Sequence, residues 1–513
     1  MASVCAICAW PLFVFSMGHY LPTIDNDEVV YFLETKTFML HGFRGGNFFL
    51  NDQVPASRLH SGLHGPVFPA LYGLAARLVG WQNYSPYLIN LAFFVAAWLL
   101  LWRSLRSHYE RQIAIALFVL MHGYFFLFLP SMMQESFHIS IAIAMAGMWN
   151  IALHRGSGVA WAGLFVLTAI AMLTRYLWGV TLPFFVSSFL HQRRAGTPLR
   201  PISTAALGFV SLVAGAVSTY AAMRLWTFWT APATAGASSI PSLSPVTALT
   251  NAAALFSFRS IGVFENYPLY FRVSTWAMLV IPASAAWLST SPSSPADGEE
   301  GSRSAARYAV LLLLVPMALQ ALFYIVDGYR DLRMLAGFHA LAGLVFLSRG
   351  RLPRLHPAHQ ILLVATALVA IVINAQLTVE GATSRYRVEW QRGVGPMVDE
   401  SSKELFATIE RRMDFVPSES SYCKTVYGPL EMSADPRLIH LPLGFAFSAI
   451  VLTRDGQLPR LRGKYALTYS SGSAMKALFD ASSDWRVVDS FDRFTLYRSR
   501  VACPLSSVRA TTN

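Results

Sequence analysis

Charge is what this sequence has least of. Only 13% of its 513 residues are Asp, Glu, Lys or Arg, about half the share of a soluble domain. A chain so poor in charge, 54% hydrophobic with a mean hydropathy of +0.43, is neither a soluble globular protein nor a disordered one. Cysteine is scarce: Cys5, Cys8, Cys423 and Cys503 are too few for a disulfide framework, and no pair recurs at zinc spacing. Cys5 and Cys8 lie in an apolar run, as packing residues do. Nucleotide-binding signatures are missing too, with no GxGxxG after a strand and no Walker loop. No carboxylate falls near the middle of an apolar run, which counts against a proton-coupled transporter. The formal charge of +12 comes mostly from Arg in short clusters between apolar runs. That pattern belongs to a multispan membrane protein rather than to a nucleic-acid binder.

The apolar runs number about eleven when each must approach the ~20 residues a span needs. They lie near 4–22, 86–102, 112–129, 137–153, 159–173, 177–190, 203–222, 273–289, 308–326, 334–348 and 360–379. The first has no basic n-region and no small-residue cleavage site, so it reads as a retained anchor. One alternate set of short loops carries Arg103, Arg106, Arg111, Arg155, Arg193, Arg194, Arg200, Arg303, Arg307, Arg349, Arg351 and Arg354, whereas the other set carries Arg175, Arg330 and Arg333. The richer set is expected to be cytoplasmic, with the N-terminus inside and the C-terminus outside. Two long loops, 23–85 and 223–272, then fall on the outer face, and 290–307 is a cytoplasmic linker. Pro183 and Pro316 could break their helices.

Composition changes at 380. The 380–513 segment holds 18 of the 40 basic and 15 of the 28 acidic residues, so it is water-soluble. The spacing predicts a helix over Ser402–Arg412, strands over Lys424–Tyr427 and Lys464–Tyr469, and a hairpin of Trp485–Asp489 with Arg493–Arg498. Fold class is therefore an all-α polytopic membrane bundle, residues 1–379, with a small extracytoplasmic α/β domain, residues 380–513. Cys423 and Cys503, the only cysteines placed in the oxidising compartment, are expected to pair.

The polar residues outside that domain cluster on the outer side. Asp25-Asn26-Asp27-Glu28-Val29-Val30-Tyr31 follows the first run directly. Carboxylates there suit a helix N-terminus, with Asp25 or Asn26 as the cap. The helix expected over 27–41 is rich in Tyr31, Phe32, Phe38 and Met39, and a carboxylate against such a surface can serve as a general base. Asp25 and Asp27 also offer hard oxygen ligands to a divalent metal. Next comes His60-Ser-Gly-Leu-His64-Gly-Pro66-Val-Phe-Pro69-Ala-Leu-Tyr72, a loop ending in a second helix start over 66–80. The following outer loop is Pro130-Ser-Met-Met-Gln134-Glu135-Ser136-Phe-His138, and Thr174-Arg175-Tyr176 closes the fifth run. Glu135 can complement a helix dipole, His64 and His138 can be packing residues, and each outer arginine can simply snorkel.

These elements in this order resemble the GT-C class of integral-membrane glycosyltransferases. The match is nearest the branch of protein O-mannosyltransferases, the aminoarabinose transferase of lipid A and related polysaccharide enzymes. Asp327-Gly-Tyr329-Arg330-Asp-Leu-Arg333-Met-Leu is similar to an Arg-Tyr-Leu-Leu-Pro segment of that class, without its proline, and His64-Gly65-Pro66 stands where many relatives carry Lys-Pro-Pro. The resemblance covers residues 1–350. It implies an enzyme of the bacterial inner membrane that takes a sugar from a polyprenyl-phosphate donor and passes it to a glycan, lipid or protein acceptor at the outer face. It implies catalytic roles for Asp27, Glu28 and Glu135, contacts to the donor phosphate from Arg175, Arg330 and Arg333, and substrate contacts from Tyr31, His64, Tyr72 and Tyr176. A flippase of lipid-linked sugars and a polysaccharide polymerase or ligase are the competing readings.

Overall fold

The computed structural model describes residues 67–79, 85–105, 109–120, 132–193, 308–316, 335–349, 411–414, 425–429, 446–450, 455–461, 463–470, 473–491 and 494–501, with single positions between them. The described helices are α1 (Val67–Val79), α2 (Ser85–Ser104), α3 (Tyr109–Leu120), α4 (Gln134–Arg155), α5 (Gly158–Thr174), α6 (Leu182–Arg193), α7 (Ala336–Arg349) and α8 (Ala474–Ala481). A 3-10 helix, Tyr176–Thr181, joins α5 to α6. The chain divides into two compact units. One holds Met1–Tyr20, Tyr87–Met223 and Ile240–Ser384; the other holds Leu21–Pro86, Arg224–Ser239 and Arg385–Asn513.

The first unit is a helical bundle. Among the described helices, α2 and α4 are long and apolar enough to cross a membrane. At 1.5 Å per residue each extends about 30 Å. Runs expected at 86–102, 137–153, 159–173 and 334–348 appear as α2, α4, α5 and α7, and 308–316 is helical. Runs 4–22 and 273–289 lie outside the described residues, while 203–222 and 360–379 are described only at single helical positions.

Two expectations are corrected. The run 112–129 is not one helix: α3 stops at Leu120, and helical structure is next described at Phe125. There the His122 and Phe125 amides bond three residues back, to Val119 and His122. The sequence His122-Gly123 is weak in helix former at that point. The run 177–190 is not uniformly α-helical either. It opens as the 3-10 turn, and α6 begins only at Leu182, with Pro183 in its first turn, where a missing N–H costs nothing.

Small residues set the helix spacing, as in membrane bundles generally. A Cβ on Gly147 of α4 would stand 3.0 Å from the Leu101 backbone of α2. Phe118 of α3 fills the notch at Gly343 of α7. Gly156, in the left-handed conformation at φ 60°, ends α4. Ser157 then caps α5 by accepting from the Ala160 amide, so α4 and α5 run antiparallel through a tight turn.

Arginines gather at one end of this bundle. Asn150 of α4 donates to Ser104 Oγ at 3.1 Å and accepts from Arg349 Nε at 3.0 Å. Arg111 at the start of α3 donates to the Leu347 and Ser348 carbonyls, and Gln192 of α6 to those of Ala152 and Leu153. These cations and amides satisfy helix C-terminal carbonyls that have no intrahelical partner. Helices α6 and α7 both end here. Apolar side chains such as Leu99, Ile113, Val166 and Val186 face outward from the same helices.

The second unit contains a six-stranded sheet. Its strands are β1 (Phe49–Leu50), β2 (Thr425–Pro429), β3 (Ala446–Ile450), β4 (Tyr465–Tyr469), β5 (Trp485–Phe491) and β6 (Phe494–Ser499), in the order β1-β3-β2-β4-β6-β5. The first four of these in space are parallel, and β5–β6 is the expected hairpin, pairing Trp485 with Ser499 and Phe491 with Phe494. A bulge sits between Val487 and Asp489. Sequence reading missed β3, α8 and β1; the last comes from the first long loop and adds an edge to the C-terminal sheet. Of the helix expected over Ser402–Arg412, only Arg411 and Arg412 are described, and both are helical.

Tyr427, Ile450, Ala466, Met475, Phe479, Trp485 and Tyr497 make the core of this unit. Tyr497 donates to Asp480 of α8 at 2.7 Å. Lys476 on the preceding turn holds the Asp480 carboxyl below its usual range, while burial pushes the Tyr497 hydroxyl up. Cys423 is fully buried and disulfide-bonded, and Cys503 lies outside the described residues. Pairing of Cys423 with Cys503 is our expectation, closing a loop of about 80 residues worth roughly 4 kcal/mol in the chain-entropy model. Thiol counting on the unreduced protein should find both blocked, and a free thiol at Cys503 would contradict the pairing.

Candidate functional site

A polar cluster is buried at the end of the bundle away from the arginines. It begins with the first turn of α4, where Gln134, Glu135, Ser136 and His138 are all buried. No side chain caps this helix at Met133, so the Glu135 carboxylate is the group that complements the helix dipole.

Arg175 reaches Glu135 because α5 ends one residue earlier. Thr174 turns its hydroxyl back onto the Ala171 carbonyl at 2.7 Å, and Arg175 is extended at φ −147° before the 3-10 turn starts. Its Nη2 lies 3.2 Å from Glu135 Oε1, with side-chain exposures of 6% and 1%. Arg175 therefore does not snorkel, and Glu135 does more than complement a dipole. Burying such a pair carries a large desolvation cost, so its presence in an apolar bundle marks a site with a task.

A second contact lies one step along. Trp178 Nε1 donates to His138 Nδ1 at 2.8 Å, and the rings stack at 5.8 Å. Residues three apart eclipse on a 3-10 helix and share a face of an α-helix. Glu135 and His138 share a face of α4, and Arg175 at the cap of the 3-10 helix and Trp178 within it meet them there. Gln134, one turn before His138, faces it at 3.4 Å through Oε1.

Helix α7 closes the cluster from another side. Phe338 stacks on Trp178 at 4.5 Å, and a Cβ on Gly337 would fall 2.5 Å from Trp178 Cζ2 and 3.1 Å from His138 Cβ. Gly337→Ala should therefore push the indole off His138 and cost about 1–3 kcal/mol, the usual range for overpacking. Thermal unfolding of the detergent-solubilised variant against wild type checks this. His339 of α7 faces His122 with ring centroids 5.6 Å apart.

Of the residues singled out by sequence, the structure brings Glu135 and Arg175 together. Tyr31 and Tyr72 both pack on Phe68, with centroids at 5.5 and 4.2 Å, and all three are buried. Those two tyrosines join the 27–41 stretch to α1, while Leu74, Leu78 and Val79 of α1 stay exposed. Tyr176 opens the 3-10 helix. Asp25, Asp27, Glu28, His64, Arg330, Arg333 and Cys503 lie outside the described residues. Among the described residues no group of three His, Cys, Asp or Glu is placed to hold a metal.

Sequence reading passed over Gln134, Trp178, His339 and Gly337 and weighed His138 as a packing residue. The signals were present. Gln134 and His138 stand at i and i+4 around a carboxylate, and Trp178 follows Arg175 by three.

No family model matches the chain, and no curated protein matches it. Among solved structures, that of ArnT from Cupriavidus metallidurans in the apo state aligns over 97% of this chain and 98% of that one, with 13% identity and a TM-score of 0.38.

Proposed function

We propose that the chain is an integral-membrane glycosyltransferase of GT-C type, moving a sugar from a polyprenyl-phosphate donor to a glycan, lipid or protein acceptor at the outer face. The observation that carries most weight is the buried Glu135–Arg175 pair, at the end of the bundle opposite the arginine-rich one. By the positive-inside rule that end faces outward, where the sequence also concentrates its remaining carboxylates. The alternation of arginine-rich and arginine-poor short loops supports eleven spans with the N-terminus cytoplasmic. The exposed apolar face of α1 suits a helix lying in the membrane interface. Residues 1–379 form the membrane domain and 380–513 the extracytoplasmic one in this reading.

Asp27 is the base. It takes the proton of the acceptor hydroxyl as that oxygen bonds to the anomeric carbon, and the bond from that carbon to the phosphate oxygen breaks. Polyprenyl phosphate leaves with the electron pair, its growing charge met by Arg330 and Arg333, which one helical turn brings to one side. Arg175 has part of its charge matched by Glu135, so it orients that carboxylate toward the acceptor and adds to the field on the phosphate. Glu28 is a further catalytic carboxylate, Tyr31, His64, Tyr72 and Tyr176 are substrate contacts, and Asp25 caps the helix. A divalent ion, if used, would be held by Asp25 and Asp27.

The break at His122 favours a second reading, a lipid-linked sugar flippase, since interrupted helices line transport paths. By length it falls about 20 Å from the start of α3. Radiolabelled transfer in detergent, where there are no compartments to cross, separates the two. Our reading expects label to move from the donor lipid to acceptor material, and a flippase would leave it on the lipid.

A further inference from the structure

We infer that Gln134 is a substrate-binding residue, its side-chain amide aimed by a relay from Trp178 through His138 to donate a hydrogen bond to a phosphate or sugar oxygen of the donor. This rests on the glycosyltransferase reading and names a contact within that site.

The relay has one sense only. An indole N–H can donate but not accept, so His138 Nδ1 must be the acceptor in the 2.8 Å contact from Trp178. The imidazole is then neutral and carries its proton on Nε2. Nε2–H in turn needs an acceptor, and the Gln134 amide faces it at 3.4 Å. Gln134 must present its oxygen there, because the flipped amide would set two donors against each other. Its NH₂ is thereby directed elsewhere.

That NH₂ is what the relay leaves over. Gln134 is 0% exposed, and its Nε2 has no hydrogen-bond partner among the described residues. A buried donor left unmatched is costly, and native structures keep such groups where something binds. Considerable structure holds this one in place. Phe338 stacks on the far side of Trp178, Gly337 makes room for the indole, and the 3-10 register sets Trp178 against His138. Gln134 also opens α4 one residue before Glu135, so the donor and the ion pair share the first turn of one helix.

The test is binding of two probes to the full-length protein in nanodiscs, undecaprenyl phosphate alone and the same lipid carrying a sugar. Gln134→Ala should weaken binding about tenfold, the worth of a hydrogen bond to a charged or well-placed oxygen. Weakening of both probes assigns the acceptor to the phosphate, and weakening of the glycosylated probe alone assigns it to a sugar hydroxyl. His138→Gln, which carries an amide N–H toward the Nε2 position, should retain most of the affinity. His138→Asn, which keeps an acceptor for Trp178 and loses the donor to Gln134, should lose it. That contrast distinguishes aiming from packing even if Gln134→Ala folds poorly. Unchanged affinity in Gln134→Ala, with wild type binding the probes, overturns the inference and leaves the enzyme reading standing. Wild-type protein that binds neither probe overturns both.

Discussion

Asp27→Asn should lower sugar transfer about 10²–10⁴-fold, the usual contribution of a general base. The amide keeps the carboxylate's shape and cannot take a proton, so expression and membrane insertion should match wild type. Asp27 stands just past the first apolar run, where a carboxylate can meet a donor held in the membrane and an acceptor arriving from either side. Asp25, two residues earlier, is the cap in our proposal, and Asp25→Asn should cost far less. In the helix expected over 27–41, Glu28 would stand about 100° around from Asp27. Initial rates of label transfer for the three variants decide. Near-wild-type transfer in Asp27→Asn, together with loss in Asp25→Asn or Glu135→Gln, would move the base to another carboxylate.

Arg175→Met should destabilise the bundle by about 3–5 kcal/mol, because it leaves a buried carboxylate without its ion pair. Glu135→Gln should cost a comparable amount by stranding the guanidinium. The double variant should recover much of that stability, since two neutral side chains of similar volume no longer carry an uncompensated charge. Transfer should not recover with it. Thermal unfolding in detergent, combined as a double-mutant cycle, measures the coupling. Additive single effects would mean that the 3.2 Å contact contributes nothing beyond its two desolvated parts. Full transfer by the double variant would remove the pair from the site.

The difference between these two positions shows what a sequence discloses. Glu135 and Arg175 were each visible as outer-side charges beside span ends, and the alternation of arginine-rich loops already put them at one end of the bundle. Their pairing was not visible. It depends on α5 ending at Thr174 and on a 3-10 turn that sets residues 175 and 178 against 135 and 138. Hydropathy reports how apolar a run is and not whether its hydrogen bonds skip three residues or four. For the same reason 112–129 read as one span although its helix breaks at His122. Gln134 and Trp178 carry no charge, so a search organised around charge passed over them. In the soluble part, alternation in Trp485–Arg498 exposed the hairpin. β3 escaped because Ala446–Ile450 is a short, nearly continuous apolar run without alternation. β1 was beyond reach, since two residues from a distant loop hold no pattern of their own.

The central claim is that a glycosyl bond is cleaved and remade, and the fate of the donor lipid tests it most directly. Purified protein in sealed proteoliposomes is supplied with polyprenyl-phosphate sugar and acceptor material, and the lipid fraction is followed by mass spectrometry. Our account predicts that free polyprenyl phosphate appears, one molecule for each sugar found on the acceptor, and that Asp27→Asn suppresses both together. Donor lipid that crosses the bilayer with its sugar still attached, and no free polyprenyl phosphate, would contradict it.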